Sequence, residues 1–453
     1  MDAIAQALST FATLAWGPWL LVLLLGGGAY FFVYSRFLPF RNGWHAIEVL
    51  RGKYDDPNAP GELTHFRALT SALAGTIGLG NIGGVAVAIH TGGPGAIFWM
   101  WMGAFLGIAT KFFTCTLAIL YRGKDSKGQL QGGPMYVIVQ GLGPQWRPLA
   151  TFFCICAMVG VLPMFQANQL VQVVRDVLIE PNGLISDATS ATYFSFGLGV
   201  LVAAIVSLVV LGGIKRIGAA TSKVVPSMLA LYVGMTAWVL IDNIADIPSY
   251  FVLIVQDAFT GDAVLGGSLG AVIVIGIRRS AFSNEAGIGT EAMAHGAART
   301  NEPVREGLVA MLGPAIDTLL VCTATALVIL SSSVWKTSDA TGVTLTAQAL
   351  AEHLPGVGPY LLVICVFFFA ISTMFSFNYY GVKALSFVAG ARHAHLYNYF
   401  YIPSIVVASV VTAGAIIDLI DGMFALMAIP TMTSALLLSP KVMKAARTYF
   451  AKL

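Results

Sequence analysis

The stretch Phe66–His90 is long and apolar enough to cross a bilayer, yet its middle reads Ala-Gly-Thr-Ile-Gly-Leu-Gly-Asn-Ile-Gly-Gly over 74–84. A second apolar stretch begins near Val264 and runs into Gly276-Ile-Arg-Arg-Ser-Ala-Phe-Ser-Asn-Glu-Ala-Gly-Ile-Gly289. Glycine and small polar residues at this density interrupt a helix. Lipid cannot hydrogen-bond the amides and carbonyls so freed. Broken backbone at membrane depth therefore persists only where protein buries it or a cavity needs it. Two interrupted spans in one chain point to a solute and ion site near the bilayer midplane, as in secondary transporters.

The rest of the chain agrees with a bilayer setting. Of its 453 residues only 10% are charged and 57% are hydrophobic, whereas a soluble domain carries about 25% charged residues. The net charge of +3 gives no reason to expect a nucleic-acid partner. The five cysteines, at 115, 154, 156, 322 and 365, all sit in apolar stretches without a CxxC, which reads as packing rather than a disulfide framework or zinc site. Met1–Leu14 holds no Lys or Arg, so the first apolar segment reads as a retained helix rather than a signal peptide.

Hydropathy divides the chain into about eleven spans, near 14–36, 66–90, 95–120, 149–178, 191–212, 222–243, 264–290, 304–331, 357–382, 399–419 and 422–440. With the N-terminus outside and the C-terminus cytoplasmic, 22 of the 25 Lys and Arg, Arg278 and Arg279 among them, fall on the cytoplasmic side, as the positive-inside rule requires. The broken spans are the second and seventh, five apart and opposite in direction. A five-plus-five inverted repeat, 66–243 and 264–440 with a peripheral first helix at 14–36, has this geometry. The expected fold is a single all-α polytopic transmembrane domain over 1–453.

Several intramembrane residues carry chemistry. Unwinding at Ala74–Gly84 frees amides that suit a carboxylate and carbonyls that suit a hard cation. Ser372 and Thr373 add hydroxyl oxygens in span nine, or bond back to their own helix. Gln166 and Asn168 follow Pro163 in span four and serve as interhelical glue or as substrate contacts. Gly276 and its neighbours are expected nearer mid-depth than Arg278, Arg279, Asn284 and Glu285, which read as an inner vestibule or gate. Lys111 in span three suits an ion pair or a snorkel to the inner surface. Asp317 in span eight suits a helix-terminus pair, a pair with Lys111, or a proton relay. No HExxH or GxxxxGK[ST] occurs, so an enzyme is not expected.

These motifs resemble the alanine/glycine:cation symporter family, also known as sodium:alanine symporters or amino acid carrier proteins. The matching stretches are His65-Phe-Arg-Ala-Leu, Gly78-Leu-Gly-Asn-Ile-Gly-Gly-Val-Ala, Gly92-Gly-Pro-Gly-Ala-Ile-Phe-Trp-Met-Trp, Ala109-Thr-Lys, Gly132-Gly-Pro-Met-Tyr, Gly212-Gly-Ile-Lys-Arg-Ile-Gly, Phe282-Ser-Asn-Glu-Ala-Gly-Ile-Gly, and Ile316-Asp-Thr with Val321-Cys-Thr. The resemblance implies a fold similar to the bacterial leucine transporter and Na+-coupled uptake of small neutral amino acids, alanine or glycine, across a bacterial plasma (inner) membrane. It implies ligand contacts at Thr76, Leu79, Gly80, Asn81, Gln166, Gly276, Thr373 and Phe377. It implies a sodium site of the Ala74, Ile77 and Phe369 carbonyls with Ser372 and Thr373. Two positions depart from the family pattern. Thr114 stands where many members have a glutamate three residues after the span-three lysine, and Phe377 where a tryptophan is common. A proton-coupled carrier of a related amino acid is the alternative function; an ion channel is a more distant one. No protein partner is implied.

Overall fold

A computed structural model describes residues 2–183, 185, 187–260, 269–411 and 414–453. The protein is an all-α polytopic membrane protein. Among the described residues eight helical stretches are long and apolar enough to cross a membrane, and a bent pair adds a ninth. Helix occupies most of the described part of every expected span; residues 264–268 of the seventh lie outside the described residues. Such a chain has no choice but helix, because only helix satisfies its amides within the segment.

The breaks are real but differ from each other. His65–Thr76 and Gly80–Gly92 meet at 53°, and Gly80–Gly84 forms a wide π turn, a distortion common at functional sites. In the seventh span, Leu269–Asn284 is continuous helix, so the expected break at Gly276 is absent. The interruption is confined to Glu285–Gly289, where Glu285, Gly287 and Gly289 take positive φ. Glycine adopts that region freely; glutamate does so at a cost.

Leu269–His295 runs alongside Gly95–Leu120 in the same direction. A Cβ on Gly276 would overlap the Ala96 carbonyl, Ser280 Oγ donates to the Met100 carbonyl at 3.0 Å, Gly107 faces Ala286, and Thr114 Oγ1 reaches Glu291 at 2.9 Å. This ladder corrects two expectations. Gly276 lies near the start of Gly95–Leu120 rather than at mid-depth. Arg278 and Arg279 lie level with the first third of that helix, not at the far end where the cytoplasmic charges are expected.

Two further boundaries move. The expected gap between spans ten and eleven, at 419–422, falls inside helix Gly414–Leu426; the tenth helix ends at Val410. Residues 244–263, expected as loop, include helix Ile247–Thr260. It docks on the start of Gly95–Leu120, where Asp257 Oδ2 accepts from the Gly95 amide at 2.6 Å.

Candidate substrate and ion site

The break in the second span is held open by its own asparagine. In a continuous helix the Gly78 amide would donate to the Ala74 carbonyl, four residues back. Instead it donates to Asn81 Oδ1 at 2.8 Å, which takes away the Ala74 carbonyl's helical donor. Asn81 Nδ2 is anchored in turn by Asp317 Oδ1 at 2.6 Å and Ser283 Oγ at 3.2 Å. Asp317 also accepts from Ser283 at 2.8 Å and from Thr318 at 2.7 Å. Asn81, Ser283 and Asp317 are all buried. One carboxylate thus ties the broken second span to the seventh and eighth. Asp317 itself sits in a second wide turn, Ala315–Cys322.

The opened backbone lines a cavity of about 420 Å³. Thr76, Gly78, Leu79 and Gly80 form one wall; Gln166, Gln169 and Gln172 form another; Phe282, Phe377 and Phe424 close the space between them. The deep residues Thr76 and Thr373 are buried, whereas Thr341 at the mouth is exposed. Gln166 is buried and its Oε1 has no hydrogen-bond partner among the described residues. An amide acceptor facing a cavity in that state is held ready for a donor from a ligand or water, since leaving it dry costs about 1–3 kcal/mol.

Helix Gly358–Ala389 runs along the broken end. Ser376 Oγ donates to the Ser71 carbonyl at 2.7 Å, and a Cβ on Gly78 would stand 2.9 Å from Thr373 Oγ1. Ser372 and Thr373 both donate to the Phe369 carbonyl at 3.0 Å. Their protons are therefore committed backward along the helix, and their oxygen lone pairs remain for a cation. The Phe369 carbonyl receives two hydrogen bonds, which makes it the weakest cation ligand of the expected set. Ser372 also reaches Met228 Sδ at 3.5 Å and is not in the cavity wall; Thr373 is.

Of the expected ligand contacts, Thr76, Leu79, Gly80, Gln166, Thr373 and Phe377 come together on the cavity. Gly276 does not; it packs on Ala96 and Trp99. The Asn81 side chain points the other way, into the Asp317 cluster, and its amide donates to the Gly78 carbonyl at 3.1 Å. Asn168 takes the interhelical role, bonded to the Ala408 carbonyl at 3.2 Å. Lys111 does not snorkel: it is buried, with Nζ 3.2 Å from where a Cβ of Gly313 would be. Thr114, in the glutamate's usual place, donates to Glu291. The glutamine ladder went unseen, although Gln169 and Gln172 follow Gln166 at helical spacing and share its face. Also missed was Tyr380, whose buried hydroxyl has no partner and lies 3.3 Å from where a Gly75 Cβ would be.

The mouth is charged. Arg278 Nη2 donates to Asp421 Oδ2 at 2.8 Å and its guanidinium stacks 5.5 Å from the Trp16 ring. Arg279 and Asp418 share the same rim.

Helices broken around a polar-bottomed cavity define a membrane transporter, not an enzyme. The chain belongs to the sodium:alanine symporter family, whose profile matches residues 1–453. It is 36% identical to the sodium/alanine symporter AgcS of Methanococcus maripaludis over 99% of this chain and 98% of that one. It is 33% identical to GlnT of Bacillus subtilis, named a probable sodium/glutamine symporter, over 96% and 88%. Among solved structures, MhsT in complex with L-phenylalanine superposes with a TM-score of 0.53 at 13% identity, covering 85% of this chain and 98% of that one. That likeness concerns the fold, which is the leucine-transporter-like fold expected from the motifs.

Proposed function

We propose that this protein is a Na+-coupled symporter that carries small neutral amino acids, alanine and glycine foremost, into the cell by alternating access. We read the membrane as a bacterial plasma membrane, with the N-terminus outside, and the repeat units as 66–243 and 264–440. The observation that carries the reading is the Asn81 bond to the Gly78 amide. It keeps the second span open and leaves the Ala74 carbonyl for a cation. On this reading the substrate carboxylate docks on the amides near Leu79 and Gly80, its ammonium meets Gln166 Oε1, and Na+ lies among Ala74, Ile77 and Thr373. All those donors are neutral oxygens, which suits Na+.

The direct test is uptake of a panel of amino acids into proteoliposomes with Na+, Li+, K+ and pH gradients imposed one at a time. Undiminished alanine uptake on a pH gradient without Na+ sinks Na+ coupling and favours the proton-coupled alternative. Within this scheme Thr373→Ala is expected to raise the Na+ concentration for half-maximal uptake by at least about tenfold, or ~1.4 kcal/mol. Ser372→Ala, outside the cavity wall, is expected to do less. A Na+ titration of uptake checks both.

Size selection follows from Phe377, whose ring packs against that of Phe424, centroids 6.2 Å apart, and lines the cavity with it. Phenyl is smaller than the indole common among relatives, so serine, cysteine and aminobutyrate are expected to enter beside alanine. Phe377→Trp is expected to exclude these at about 1–3 kcal/mol each and to keep alanine. An unchanged substrate profile would remove Phe377 from the pocket.

A further inference from the structure

Eleven residues before the break, about 16 Å along the helix, His65 opens the second span in a buried position. The Glu306 carboxylate bridges two imidazoles: one oxygen meets His65 Nδ1 and the other His295 Nδ1. All three side chains are buried, and His65 Nε2 has no partner among the described residues. The three residues come from the start of His65–Thr76, the end of Thr290–His295 just past the second break, and the start of Pro303–Ala310. The transport scheme above uses none of them.

The same end is pinned by backbone. Leu63 bridges to Ala298, and the Arg122 guanidinium donates to the carbonyls of Pro60, Gly296, Ala298 and Thr300. Asp55 and Arg305 face His65 through space. Arg122 and Cys115 face Glu306. Glu291, one turn before His295, is occupied by Thr114 and the Gly289 amide.

We propose that His65, Glu306 and His295 form a proton-binding latch that holds shut the end of the protein opposite the cavity mouth. With both imidazoles neutral, each Nδ1–H donates to Glu306, and the triad itself carries one negative charge out of reach of water, faced through space by Arg122, whose N–H groups are committed to backbone carbonyls. One added proton, taken on an imidazole Nε2, turns a hydrogen bond into an ion pair and neutralises the group. A buried carboxylate left without a cation is costly. Opening this end parts the carboxylate from the imidazoles and hydrates all three, and that need for the proton disappears. The proton is thus bound when the end is closed and released when it opens. By linkage, acid on this side favours the closed form and alkali favours opening. An imidazole is the side chain whose ordinary range makes such exchange matter near neutral pH.

The turnover arm of the test rests on the transport reading; the melting arm does not. Alanine turnover is measured in oriented proteoliposomes at fixed Na+ while the pH on the latch side is stepped from about 5.5 to about 8. Wild type is expected to speed up by about fivefold or more, and H65Q, H295Q and E306Q to lose most of that slope. Glutamine keeps hydrogen-bonding capacity but takes no proton. In detergent, without substrate, wild type is expected to gain melting temperature from pH 8 to pH 6 relative to all three variants. Equal pH dependence of wild type and E306Q in both assays overturns the latch. A wild type that moves no amino acid at all fails the transport reading, and the melting comparison still decides the latch.

Discussion

Asn81→Ala is expected to abolish Na+-driven uptake while leaving a protein that still inserts. The side chain does not touch the cavity, so a contact-based view would expect little. Its removal strands the buried Gly78 amide and strips Asp317 of its 2.6 Å donor. Each stranded neutral group costs about 1–3 kcal/mol, and a carboxylate more. The simplest relief is for the Gly78 amide to return to the Ala74 carbonyl, which closes the helix through the site. Uptake per milligram of reconstituted protein is the measurement, with a loss of about 100-fold expected from a few kcal/mol. Asn81→Asp is expected to fare no better, because it sets a second carboxylate against Asp317. Retention of uptake in Asn81→Ala would show that the break does not depend on its asparagine.

Gly307→Val is expected to prevent stable folding. Helix Pro303–Ala310 crosses Gly95–Leu120 so closely that a Cβ at Gly307 would overlap Thr116 Oγ1 and stand 2.7 Å from the Phe112 carbonyl. Backbone cannot yield as a side-chain tip can. Overpacking of a fixed contact costs about 1–3 kcal/mol, and a β-branched residue adds further atoms to the clash. Loss of the monodisperse peak in detergent size-exclusion is the readout, with Gly307→Ala intermediate. Small residues at helix crossings supply much of the association energy in lipid, where no hydrophobic force draws helices together.

Much of this was legible in residues alone. Lipid leaves only helices and closed barrels, and apolar runs of about twenty residues fit the helix, so the runs translate into spans and the Ala74–Gly84 interruption translates into a cavity wall. Gln166 could be singled out because an amide is conspicuous among apolar neighbours. The second break misled because Gly276-Ile-Arg-Arg reads as a breaker with charges, whereas Gly276 serves close packing on Ala96 and the helix continues. Arg278 misled for a related reason. Charge counting assigns every arginine to a bulk aqueous side, and this one is satisfied within the protein by Asp421, a partner 143 residues away. The direction of the Asn81 side chain was also out of reach, because it depends on Asp317 and Ser283 arriving from two other helices.

The amino-terminal arm was expected to be peripheral, and by sequence it is. In space it is a doorpost. Asp2–Ala15 packs along Gly414–Leu426, with Phe11 filling the place where a Cβ of Gly422 would be. Trp16 Nε1 donates to the Asp421 carbonyl at 3.2 Å while its ring carries the Arg278 guanidinium. Any widening of the mouth must either break both attachments at Trp16 or swing the first thirty-odd residues (as far as Tyr34) along with the rim. The freedom of the mouth is therefore constrained by the arm, through Trp16 and through the packing of Asp2–Ala15 on Gly414–Leu426.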